Sequence, residues 1–79
     1  MSVILNRLVR RVNTIDKHCQ KYKLLMKYDG EVIAEYDMSS GERTIDMKTP
    51  EQWVRGNMVF LITLAGKDET KVEIEKIKL

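Results

Sequence analysis

Lys23-Leu24-Leu25-Met26-Lys27-Tyr28-Asp29-Gly30-Glu31-Val32-Ile33-Ala34-Glu35-Tyr36 is the stretch that decides the fold. Leu24, Met26 and Tyr28 alternate with Lys23, Leu25 and Lys27. Beyond Asp29-Gly30, Val32, Ala34, Tyr36 and Met38 alternate with Glu31, Ile33, Glu35 and Asp37. Two runs of period two around an Asp-Gly pair read as a β-hairpin. The loop length follows from matching faces. A two-residue loop would pair Met26 with Ile33 and Leu24 with Glu35, mixing apolar and polar sides. A three-residue loop, Tyr28-Asp29-Gly30, with Gly30 left-handed in a bulge, pairs Met26 with Val32 and Leu24 with Ala34. It also sets Leu25 opposite Ile33, and forms the ion pairs Lys27–Glu31 and Lys23–Glu35. The three-residue loop is therefore expected.

Before the hairpin the period is helical. Leu5, Leu8, Val12, Ile15, Cys19 and Tyr22 recur at steps of three and four, which predicts one amphipathic helix over Val3 to Tyr22. The spacing also fits a heptad seam, but three repeats are too few to prefer a coiled coil over packing on the chain's own sheet. The other side of the helix carries Arg7, Arg10, Arg11, Lys17 and Lys21 with Asn6 and Asn13.

After the hairpin, Ser39-Ser40-Gly41-Glu42 reads as a turn and Arg43–Met47 as a short third strand. Thr49-Pro50-Glu51-Gln52 has an N-cap, a proline for the first helical position and a capping-box glutamine. Gly56-Asn57 supplies a stop, so a helix of one or two turns is expected over Pro50 to Arg55, presenting Trp53 and Val54. Met58 to Ala65 is apolar on both sides except for Thr63, as a central strand covered on both faces would be. Gly66-Lys67-Asp68-Glu69 turns the chain into a last strand, whose slip from Val72 and Ile74 to Ile77 and Leu79 suggests a bulge near Glu75-Lys76. The expectation is an α+β fold. An N-terminal amphipathic helix packs on an antiparallel four- to five-stranded sheet, in the order α-β-β-β-α(short)-β-β.

At 79 residues the chain is expected to form one domain over 1–79. Charged residues make up 33% with both signs mixed, which suits a folded chain rather than a disordered one. A single cysteine excludes an internal disulfide and fits the cytoplasm. Met1 to Arg7 lacks a continuous apolar core, so no signal peptide is expected, and no run approaches the length of a membrane span. The net charge of +2 is unevenly spread. Residues 1–28 hold seven basic side chains against Asp16 alone, a net of +6, and residues 29–79 hold seven basic and eleven acidic ones, a net of −4.

Catalytic chemistry finds little footing. His18 is the only histidine, and Thr14 and Tyr22 stand where an orienting carboxylate one turn away would be needed, so it reads as solvated. Cys19 falls on the apolar stripe, about 100° around the helix from His18, and reads as an inert thiol. His18 and Cys19 are adjacent and are the only strong soft ligands, so neither metal nor cofactor is expected. No glycine-rich phosphate loop or nucleophile elbow occurs, although arginine, lysine and tyrosine would suffice for a small nuclease. The first expectation is a non-catalytic protein-interaction module, an inhibitor or accessory protein of a larger complex such as phages and viruses encode. Leu25 and Ile33, on the sheet face left bare by the helix, with Trp53 and Arg55, are its expected contacts, either for a protein partner or for a second copy of the chain, although a tryptophan in a chain this short is more often part of the core. The alternative is a nucleic-acid-binding protein, or a binder of an acidic protein, using Arg7, Arg10, Arg11, Lys17 and Lys21.

Overall fold

The computed structural model describes residues 3–79. Met1 and Ser2, part of the segment read for a signal sequence, lie outside the described residues. The order is α1 (Val3–His18), β1 (Tyr22–Tyr28), β2 (Glu31–Met38), α2 (Pro50–Val59), a π-helical turn (Phe60–Leu64), a 3-10 turn (Glu69–Lys71) and β3 (Val72–Lys78). The antiparallel sheet has three strands in the order β2-β1-β3. The α+β class, the N-terminal helix and the antiparallel sheet are as expected. The four- to five-stranded sheet is not.

The apolar stripe of α1 lies inward. Leu8, Val9, Val12 and Ile15 are buried, with Leu5 and Cys19 packed against them. The helix ends at His18, so Tyr22 contributes to the core from β1.

The hairpin corrects the expected loop. Tyr28 pairs with Glu31, so the connection is the two-residue Asp29-Gly30 turn. Both residues have positive φ, 50° and 87°, the signature of a type I′ turn, whose twist matches that of the strands. The conflict of faces is resolved further along. Lys27 pairs with Val32 but Met26 pairs with Ala34, leaving Ile33 as the extra residue of a bulge. From there Leu24 pairs with Tyr36 and Tyr22 with Met38, all on the core side. Leu25 faces Glu35 instead of Ile33.

Arg43–Met47 is not a strand. Ile45 projects wholly into solvent, and the segment is held by side chains instead. Tyr36 Oη donates to the Lys48 carbonyl at 2.5 Å, and Arg43 bonds both Tyr36 Oη and Asp16. Two apolar residues gave that segment too little to bury, and these bonds capture it as a loop.

The capping box at the start of α2 forms as the sequence predicts. Gln52 N donates to Thr49 Oγ1 at 3.2 Å, Thr49 N donates to Gln52 Oε1 at 3.0 Å, and Pro50 stands in the first turn. The expected stop at Gly56-Asn57 does not occur. The helix runs through it, with Asn57 Nδ2 donating to the Trp53 carbonyl at 2.8 Å. Met58–Ala65, expected as a central strand, is helical up to Leu64. Val54, Met58 and Leu61 recur at steps of four and three and are all buried, so a short apolar run has kept the helical period. Gly66, at φ 62°, ends the helix, and Lys67 N–H reaches back to the Leu61 carbonyl at 2.8 Å.

β3 pairs with β1 without interruption from Tyr28–Val72 to Tyr22–Lys78, so the bulge expected near Glu75-Lys76 is absent. Val72 and Ile74 enter the core, Lys76 and Lys78 follow on the same side at its rim, and Ile77 falls on the other face. Both helices cover one side of the sheet. Trp53 therefore packs with Tyr36 on the core side, with ring centroids 5.7 Å apart, and covers none of the second face. No helix among the described residues is long and apolar enough to cross a membrane.

Candidate interaction surfaces

Three surfaces leave the fold. The first is the outer side of α1. At about 100° per residue, Arg10 and Lys17 lie opposite the buried stripe of Leu8, Val12 and Ile15. Arg7 and Arg11 form one shoulder, and Asn6 and Asn13 the other. All are exposed, and none of the four cations makes an ion pair among the described residues. An open groove of about 420 Å³ runs along this side, lined by Asn6, Val9, Arg10, Asn13, Thr14 and Lys17. Lys21 lies beyond the end of the helix, in the bend before β1, beside Gly41. The sequence thus located this surface, except that Lys21 is not on the helix.

The carboxylate tied to this face is already engaged. Glu51, in the first turn of α2, accepts from Asn13 Nδ2 at 3.0 Å and from Arg55 Nε at 3.0 Å. The Asn13 bond first, and then the Arg55 bond, hold its carboxyl below the usual range. Asp16, the only acid within α1, is bound by Arg43 and by Tyr22 Oη.

The second surface is the bare face of the sheet. Lys23, Leu25 and Lys27 run down its centre, with Glu35 and Asp37 on β2 and Glu73 and Glu75 on β3. Lys27 pairs with Glu75 at 3.3 Å, and Lys23 with Glu35 at 3.8 Å. The second pair was expected. The first replaces Lys27–Glu31, because the two-residue turn sets Glu31 opposite Tyr28. Exposed pairs of this kind add little stability. The face is acidic overall, with half-buried Leu25 and the more exposed Val32, Ile33 and Ile77 as its apolar content.

The four residues expected at a protein contact do not share a surface. Leu25 and Ile33 reach the bare sheet face. Trp53, at 7% exposure, belongs to the core. Arg55 lies half-buried on α2, in the helix layer, paired with Glu51.

The third surface escaped the sequence reading. Where α2 widens into its π turn, Val59, Phe60, Ile62 and Leu64 face outward while Met58 and Leu61 reach inward. Phe60 is 59% exposed and Leu64 74%. The signal was present in the four-and-three spacing of Val54, Met58 and Leu61, which fixes the helical phase and turns the intervening residues out. Reading the run as a strand hid it.

No group of three or more His, Cys, Asp or Glu side chains that could hold a metal is found among the described residues. Comparison with protein-family models, with curated proteins and with solved structures finds no match.

Proposed function

We propose that this chain is a non-catalytic protein-binding domain that acts as an inhibitor or accessory subunit of a larger protein or complex. Docking occurs through Val59, Phe60, Ile62 and Leu64. The supporting observation is the exposure of this aromatic and aliphatic group on a helical segment that Met58 and Leu61 fix to the core. An aromatic side chain held on a rigid element loses little entropy on docking and brings a large apolar area, which is what interface anchors share. The single cysteine, a half-buried free thiol, suits work in the cytoplasm.

The test is a photo-crosslinking residue at position 60, followed by capture from the native host with the wild-type chain, Phe60→Asp with Leu64→Asp, and Leu25→Asp with Ile33→Asp. Because Phe60 and Leu64 are exposed, the first pair should keep the far-UV circular dichroism of the wild type. The expected result is a partner crosslinked from position 60 that the Phe60/Leu64 variant no longer captures and the Leu25/Ile33 variant still captures. Sedimentation on the same samples reveals whether that partner is a second copy. Retention of every partner by a folded Phe60/Leu64 variant sinks the reading.

A further inference from the structure

We propose that the outer face of α1 binds the phosphodiester backbone of nucleic acid without reading its sequence. Arg7, Arg10, Arg11 and Lys17 span about 15 Å along the helix, on a face without acidic side chains. Glu51, bonded to Asn13 of this helix, is also engaged by Arg55, and Asp16, the acid of α1 itself, is engaged by Arg43 and Tyr22. The cations are therefore available to an outside anion, and a line of them suits a line of phosphates.

The composition of the face favours nucleic acid over an acidic protein. Asn6, Arg7, Arg10, Arg11 and Lys17 are residue types that donate to phosphate oxygens, whereas the Thr14 hydroxyl donates to the Arg10 carbonyl at 2.9 Å. The outer side of the helix has no aromatic, methionine or leucine of the kind that centres a protein interface. Base reading is weakened at Asn13, whose amide group is bonded to Glu51. The acidic sheet face lies on the opposite layer, so the molecule presents one layer to a polyanion and turns the other away. This proposal is independent of the protein-binding reading, because different residues carry the two surfaces.

The experiment is fluorescence anisotropy with labelled mixed-sequence oligonucleotides, duplex and single-stranded, over a salt series. Four neutralised phosphates give a slope of log K against log salt of about −3.6 on duplex, a loss of about a hundredfold between about 50 and about 200 mM salt. Arg10→Gln with Lys17→Gln should bring the slope near −2 and the loss to about tenfold. Lys23→Gln with Lys27→Gln makes the same change of charge on the bare sheet face and should leave the slope as it was. Duplexes of different sequence should bind alike. Absence of binding at low salt overturns the proposal. So does equal weakening by the two double variants, or binding of the wild type to anionic lipid vesicles but not to oligonucleotides.

Discussion

Tyr22 joins two parts of the molecule through a single hydroxyl. Its Oη donates to Asp16 Oδ1 at 2.7 Å, and Arg43 from the loop after β2 binds the same oxygen. Arg43 Nε also donates to Tyr36 Oη at 3.1 Å, so α1, both hairpin strands and the loop meet in one chain of bonds. Burial first, and then the bond to Asp16 and its charge, push the Tyr22 phenol far above its ordinary value. The folded state thus holds this proton more tightly than the unfolded chain. The resulting stabilisation is complete below the ordinary tyrosine value of about 10 and is lost as pH rises beyond it. Tyr22→Phe should cost about 1 kcal/mol at neutral pH in urea unfolding, since Arg43 still pairs with Asp16. In an alkaline titration followed by tyrosinate absorbance it should also abolish one late step. A variant as stable as the wild type, with the late step intact, would disprove this assignment. On the acid side, Asp37 and Asp68 are held low by hydrogen bonds from Ser39 and Thr70, so what they contribute is lost as pH falls through their lowered values.

Elements were legible where a local signal had one meaning. The stripe of α1, the position of the hairpin and the capping box at Thr49 and Gln52 each rest on neighbours in sequence. The hairpin shows how a signal with two solutions is resolved. The Asp29-Gly30 pair takes its favoured type I′ turn, and the bulge at Ile33 restores the faces afterwards. Gly56 was misread because a glycine near a helix end often terminates it, whereas here the left-handed residue is Gly66. A Cβ added at Gly56 meets nothing within 4 Å. Gly56→Ala should therefore stabilise the protein by about 0.5–1 kcal/mol and raise Tm by about 5 °C. A loss of stability would mean that the helix ends at Gly56 after all.

At the scale of the whole molecule, two helices share one side of a sheet whose other side is bare. Adjacent residues of β1 measure that asymmetry. Leu24 is completely buried between the sheet and the helices, and Leu25 looks out among charges. Leu24→Ala should cost about 3 kcal/mol, a large part of the roughly 4–12 kcal/mol that a chain of this length commands. Leu25→Ala should cost less than about 1 kcal/mol. Equal costs in chemical denaturation would mean that the bare face is covered in solution. The split of charge along the sequence also becomes a split in space, with the cations of α1 on one layer and Glu35, Asp37, Glu73 and Glu75 on the other.

The sequence by itself determined the amphipathic helix, the hairpin around Asp29-Gly30, the start of α2 and the basic stripe, because each is written in spacings of a few residues. Only the tertiary structure decided that Met58 to Leu64 is helical and that both helices lie on one side. A run of eight residues, all apolar but Thr63, satisfies either period. What chooses between them is which side chains find a surface to bury against. Val54, Met58 and Leu61 found theirs in the core beneath α2, and that left Phe60 and Leu64 facing outward.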